Sequence, residues 1–427
     1  MSEKDLISTL SSDVLNFYSG SSVFPYVPLL AIGPWIVTTK GGVIYETGSY
    51  GMLGFGHNPP FLKRTLCKSQ VMANVKTASF SQYECCKKLR ENIRAGNCPF
   101  SQFIFMNSGS EAVTVALRIT DTEARKLTDE GGRYQGREIK FLSVEGSFHG
   151  RTARPGLASD STLKSYQAMA SFRDSSCLDT VPPNNIEALE EVFSEAEAKG
   201  IFYEALLLEP VLGEGRAGFA ISAEFYDAAR RLCSEHGTML IVDSIQAGLR
   251  THGALSILDY PGFENSEAPD METYSKAINA GQYPLSVLAL NDRAVAAYKI
   301  GTYGNTMTTA PRALDIASKT LDQQSEALQA NIKEQGEYAL TCMNNLKTKF
   351  PNHVKEILGT GLLFSLQLSD ELVIEGYDGI ETQIRRQGVN VIHSSGNRLR
   401  FTPWFNIMQS ELDLVFNVVE DVIAANV

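Results

Sequence analysis

Short apolar runs of strand length alternate with helical patterns through the middle of the chain, and this alternation limits the fold more than any other feature. FIFM (103–106), KFLSV (140–144), ALLLEP (205–210) and TMLIVDS (238–244) each read as a buried strand. Continuous apolar character implies cover on both faces, as parallel strands require. Between the last two runs lies ISAEFYDAARRLCSEHG, where Phe225, Ala229, Leu232 and Cys233 recur at helical spacing. Ser222 is placed to cap that helix and Gly237 to stop it. Strand, helix, strand predicts an α/β fold with a mostly parallel sheet covered by helices. Ligands of such sheets bind beyond the carboxyl ends of the strands.

The flanks read differently. ALDIASKTLDQQSEALQANIKEQGEYALTCMNNLKTKF is one long helical pattern, and short strands follow near GTGLLFSLQLS and VNVIHSSGNRLRFTP. This predicts a smaller α+β domain over residues 311–427. Strands in residues 1–60, around WIVTTKGGVIYETGSYG, complete it, and residues 61–310 form the large domain.

Charge and composition exclude several classes of partner. The 427-residue chain carries a formal net charge of −11, which repels nucleic acid and anionic lipid. No run of about 18 apolar residues is present, so no membrane span is expected. MSEKDLISTLSSDVLNFY lacks the charged-then-apolar pattern of a secretory signal. The seven cysteines form no CxxC and the six histidines no HxxxH. A cytoplasmic protein with reduced thiols and no metal is the expectation.

Three strand ends carry chemistry. FMNSGSEAVTVALR is a strand, a small polar turn and an amphipathic helix. Ser108, Gly109 and Ser110 with the free N–H groups of the helix start form a phosphate cradle. Glu111, three after Ser108, equally fits a plain capping box. Asp243 ends an apolar strand, where a carboxylate needs a cation or donor. A salt bridge or helix cap would serve as well as a protonated ring nitrogen. Lys276 follows METYS among small residues. A desolvated lysine has a lowered pKa and becomes a nucleophilic amine suited to a Schiff base, although a lone lysine is more often a surface residue. Phosphate turn, aromatic Phe148, strand-end aspartate and lysine together are the set that pyridoxal phosphate requires.

The chain resembles the class III aminotransferases, which are fold type I pyridoxal-phosphate enzymes, and it is most similar in motif to their ornithine and acetylornithine branch. The matching stretches are NSGSEA, GSFHGRT, LLLEPVLGEG, IVDSIQAGLRTHG, APDMETYSKAINAGQYPLS, GTYGN and RLRFTP. The resemblance implies that Lys276 is the Schiff-base lysine and Asp243 the partner of the pyridine nitrogen. It implies Gln246 near the ring hydroxyl, Ser108, Gly109 and Ser110 at the phosphate, and Phe148 stacked on the ring beside His149. Thr302 is similar to a threonine that reaches the neighbouring subunit's phosphate, which implies a homodimer with shared active sites.

For the substrates, the resemblance implies Tyr50 and Arg151 at a distal carboxylate and Arg400 at the α-carboxylate of glutamate. Glu214 neutralises Arg400 when an ω-amine enters, and Glu209 joins the substrate set. A structural salt bridge would account for Glu214 and Arg400 equally well. The expected reaction moves an amino group from an ornithine-like or other ω-amino acid to a keto acid such as 2-oxoglutarate. A racemase or epimerase, a decarboxylase, and a non-catalytic binding protein are the alternatives. The chain departs from the family pattern at Leu212, where Gln is common. It has Ser244 where DEVQ or DEIQ has an acid, and Thr306 where proline usually follows GTYGN. Pro34, Trp35 and Trp404 add bulk near segments that border the family's pocket.

Overall fold

Successive residues of the central strands face opposite helical layers, and this sets the architecture. The computed structural model describes residues 2–16, 23–72, 76–172, 177–308 and 310–427. One sheet holds β1 (Gln102–Met106), β2 (Glu138–Val144), β3 (Leu178–Val181), β4 (Ile201–Leu208), β5 (Met239–Asp243), β6 (Met271–Tyr274) and β7 (Ser286–Leu290). Its order is β1-β7-β6-β5-β4-β2-β3. Strands β6, β5, β4, β2 and β3 are mutually parallel, and β7 runs antiparallel to both β1 and β6.

Helices α1 (Gly109–Thr128), α2 (Ile186–Lys199) and α3 (Ala223–His236) cover this sheet. Leu206 and Leu208 of β4 and Leu240 and Val242 of β5 pack with α2 and α3. Ala205 and Leu207, with Met239 and Ile241, pack with α1 on the other face. The period-two alternation therefore buries both faces, and the strands read as unbroken apolar runs. Asp243 continues the α1-facing series, so its side chain is delivered to the start of α1. Ser222 caps α3 by accepting from Phe225 N–H, and left-handed Gly237 ends it, as the sequence predicts. The ALLLEP strand was expected to run to Pro210 but stops at Leu208. There the Glu209 carboxylate turns to accept the N–H groups of Phe148 and Gly213.

The long helical pattern is two helices, not one. α4 (Pro311–Leu321) ends in a turn, and Ser325 caps α5 (Glu326–Lys349) by accepting from Leu328 N–H at 3.2 Å. A serine that bonds the next turn's backbone competes with helix continuation. Two small sheets lie beside these helices. Strands at 28–32, 35–38 and 43–46 join Val389–Asn390, which pairs in parallel with Tyr45 and Glu46. The other sheet joins Val354–Thr360, Leu363–Leu368, Arg398–Phe401 and Ile392–Ser394. Among the described residues no helix is long and apolar enough to cross a membrane. All seven cysteines are free.

Candidate active site

The site grows from the carboxyl ends of β1, β5 and β6. Ser108 follows β1 and caps α1. Its Oγ accepts from Glu111 N–H while the Glu111 carboxylate returns to Ser108 N–H. The capping box is therefore real, and the start of a 20-residue helix, at Gly109 and Ser110, lines the cavity. Ser286 Oγ on β7 donates to Ser108 O at 2.7 Å and fixes the turn. A Cβ at Gly109 would lie 2.6 Å from Ile245 Cδ1, so that side chain would have to shift to admit one. Gly150 crosses the first turn of α1 with φ +117°, and a Cβ there would meet Ser110 Oγ at 2.5 Å. Arg151 N–H donates to that same Oγ at 3.1 Å.

Asp243 is 3% exposed and fully bonded. Its Oδ1 accepts from Thr273 Oγ1 at 3.0 Å and Ile245 N–H at 3.2 Å, and its Oδ2 lies 3.0 Å from His149 Nδ1. His149 is itself buried, and its Nε2 has no partner among the described residues. Lys276 follows β6 with φ +47°, in the left-handed region that a non-glycine residue occupies only under constraint. Burial, then the positive charge of Arg400, pulls its amine down to about 8, against the opposing pull of Asp243, Glu214 and Glu209.

These residues enclose one cavity of about 160 Å³, whose walls include Ser108, Gly109, Ser110, Phe148, His149, Asp243, Gln246 and Lys276. Two roomier surface grooves, of about 540 and 990 Å³, contain none of the residues singled out by sequence.

A second layer adjoins the cavity. Arg400 is wholly buried, and its Nη1 meets Glu214 Oε2 at 2.7 Å, the Gly213 carbonyl, and Gln246 Oε1 at 3.4 Å. Nε and Nη2, one edge of the same guanidinium, are buried without a partner among the described residues. That edge has the two-donor geometry that grips a carboxylate. The Tyr50 ring lies 5.1 Å from the guanidinium. Glu209 accepts from Phe148 N–H at 2.8 Å and Gly213 N–H at 3.0 Å. Burial, then the Asp243 charge, raises its pKa well above the ordinary carboxylate value. Arg151 is exposed, with its guanidinium 5.7 Å from the Phe148 ring centroid. Thr302 is outside this cavity, and its hydroxyl donates to Lys299 O at 2.7 Å.

Sequence reasoning passed over Ile245, Gly150 and Ser275, all of which line the cavity, and Arg250. Arg250 is wholly buried, and its Nη atoms donate to Leu362 O at 3.1 Å, Pro403 O at 2.5 Å and Gly51 O at 3.3 Å. The glycine in GSFHGRT was the available signal for Gly150. Nothing local distinguishes Arg250 from a surface arginine.

The model for "Aminotransferase class-III" matches residues 20–423. The chain belongs to the class III aminotransferase family. It is 27% identical to ornithine aminotransferase 2 of Staphylococcus saprophyticus, covering 96% of this chain and 98% of that one. It is 28% identical to the acetylornithine aminotransferase of Neisseria meningitidis serogroup B, over 89% of each. The ornithine aminotransferase of Toxoplasma gondii shares the fold with a TM-score of 0.82, 22% identity, and coverage of 100% of this chain and 96% of that one. Another structure of the Toxoplasma enzyme is described with partial occupancy of PLP at its active site. Class III aminotransferases depend on pyridoxal 5′-phosphate, and this aminotransferase shares that dependence.

The residues fit that coenzyme. The α1 N–H groups and the cradle that a Cβ at Gly109 or Gly150 would fill suit a phosphate. Asp243, held by three donors, suits a protonated ring nitrogen. The low pKa of Lys276 gives a pH expectation for this aminotransferase. With Lys276 proposed as the residue that takes the coenzyme, the rate at which apoprotein takes up pyridoxal phosphate should rise through about pH 8 and level off above it, as the amine becomes neutral. The sign for stability follows. The folded pKa of about 8 lies below the ordinary 10.5, so unfolding takes up a proton in between. The penalty is complete below the folded value, fades across the interval and is gone above the ordinary one, so stability of the apoprotein rises with pH in that window. Urea unfolding of apo Lys276→Met should therefore show an advantage over wild type at neutral pH that shrinks at high pH. A gap independent of pH would contradict the burial of a charged amine.

Proposed function

We propose that this class III aminotransferase takes the amino group of an ornithine-like or other ω-amino acid and passes it to 2-oxoglutarate. The observation that carries the reading is Arg400. One edge of a buried guanidinium stands open for a carboxylate while Glu214 holds another nitrogen. A carboxylate substrate takes the free edge, and an ω-amine is accommodated because Glu214 offsets the arginine charge. The relatives named as ornithine and acetylornithine aminotransferases support the choice of donor.

In this reading Lys276 would hold the coenzyme, and its amine would carry the proton taken from the substrate carbon. When bound, the coenzyme supplies an aldehyde that captures amines and a ring that accepts the electron pair left as the proton departs. Asp243 keeps the ring nitrogen protonated, and His149 orients Asp243. Ser108, Gly109 and Ser110 hold the phosphate, Phe148 covers the ring, and Gln246 bonds its hydroxyl. Tyr50 and Arg151 hold the distal carboxylate, with Glu209 behind them. Residues 61–310 form the coenzyme-binding domain, and residues 1–60 and 311–427 form the smaller one.

We further read the protein as a cytoplasmic homodimer, with Thr302 reaching the coenzyme phosphate of the other copy. Ile300, Phe80 and Met307, at 92%, 89% and 59% exposure, are large apolar side chains that a second copy would cover. The deciding experiment incubates the purified holoenzyme with a panel of ω-amino acids, with and without 2-oxoglutarate. Glutamate formation with at least one ω-amine donor is expected. Loss of optical purity, or carbon dioxide release, in the absence of a keto acid would replace this reading with racemisation or decarboxylation.

A further inference from the structure

Glu272 lies behind the site, on β6, wholly buried and without a cationic partner among the described residues. A carboxylate in that position is tolerated only if donors surround it. Four do so. Ser244 Oγ donates at 2.5 Å, Ser256 Oγ at 2.6 Å, Tyr274 Oη at 2.8 Å and Ile257 N–H at 3.0 Å. Burial raises its pKa to about 7, and the four donors pull against that rise.

The donors come from segments that matter. Ser244 is the residue after Asp243. Its N–H donates to Thr273 O at 3.1 Å, and Thr273 Oγ1 donates to Asp243 Oδ1. Tyr274 is two residues before Lys276. The turn that carries Asp243 and Gln246 is thus bonded, through one carboxylate, to the strand end that carries Lys276. Ser244 stands where the resembling family has an acid, so here the acid comes from the adjacent strand.

We propose that Glu272 is a positioning residue that fixes the Asp243–Gln246 turn against the end of β6 through Ser244. The inference rests on the reading of Asp243 as the partner of the coenzyme ring. Glu272 does not line the cavity. Its effect passes through the hydroxyl of Ser244 to the backbone that aims Asp243.

The test compares holoenzyme and apoprotein of Ser244→Ala, Glu272→Leu, their combination, Glu272→Gln and Asp243→Asn. Three quantities are read: the dissociation constant of pyridoxal phosphate, the pH midpoint of the visible absorbance band, and the unfolding temperature. A hydrogen bond to a charged group corresponds to roughly a tenfold change or more in an equilibrium constant. Ser244→Ala and Glu272→Leu are each expected to weaken coenzyme binding about tenfold and move the band midpoint. The double variant should be no worse than the poorer single one, because both break one path. Glu272→Gln should recover most of the binding, since its amide oxygen still accepts from Ser244 and Ile257. If Glu272→Leu does not fold, Ser244→Ala and Glu272→Gln carry the comparison. A fall in unfolding temperature with binding and band midpoint unchanged would make Glu272 plain structural support and overturn the proposal. If Asp243→Asn weakens binding while Ser244→Ala and Glu272→Leu do not, only the positioning role fails. If Asp243→Asn is also without effect, the reading of Asp243 fails with it.

Discussion

Lys276→Ala is expected to lower turnover by at least about 10⁴-fold, since a positioned proton-transfer group alone contributes about 10²–10⁴ and the covalent anchor is lost as well. The variant should bind pyridoxal phosphate reversibly, release it on gel filtration and lack the visible band of the lysine-linked coenzyme. Its fold should persist. The substitution removes an amine whose burial opposes its charge, and it leaves the donors around Asp243 intact. Turnover by Lys276→Ala within tenfold of wild type, measured with a saturating donor and 2-oxoglutarate, would remove the basis of the catalytic assignment.

Arg400→Met should separate the two half-reactions. Truncating one partner of a buried, hydrogen-bonded charge pair costs about 2–5 kcal/mol of binding, so kcat/KM for 2-oxoglutarate should fall by about thirtyfold to several thousandfold. The donor half-reaction should fall far less, because an ω-amine presents no carboxylate to the Nε–Nη2 edge. Glu214→Gln should act in the opposite sense, sparing the keto acid and slowing the donor, since the guanidinium charge then meets the incoming amine without an offset. Single-turnover rates for each half-reaction, followed by coenzyme absorbance, give the comparison. An equal loss in both half-reactions for Arg400→Met would mean that the pair with Glu214 is only structural.

The central sheet was legible because its strands are buried on both faces and therefore stay apolar throughout, and because Ser222 and Gly237 mark helix ends chemically. Asp243 and Lys276 were legible for the opposite reason: a charged residue at the end of such a strand stands out. What sequence could not supply were partners distant along the chain. The Asp243–His149 contact spans 94 residues. The same applies to Ser244. Read alone it is a lost acid, and only the adjacent β6 strand reveals that Glu272 provides one. The left-handed backbone of Lys276 left no composition signal, since glycine usually marks that conformation and lysine does not. The break between α4 and α5 was hidden because Asp, Gln and Ser are all tolerated on an exposed helical face, and Ser325 acts as a cap only once the next turn forms.

Arg250 has a bearing on how the polypeptide tolerates cutting. Its guanidinium gathers carbonyls from Gly51, Leu362 and Pro403, and the Phe405 ring lies 5.0 Å from it. A Cβ at Gly51 would stand 3.5 Å from Arg250 Nε and 3.8 Å from Lys276 Cδ. The segments around Gly51 and Pro403, one from each flank of the chain, are thereby moored to one buried cation. Trimming back past either mooring strips acceptors from a desolvated charge, so damage far from the catalytic centre in sequence is felt there directly.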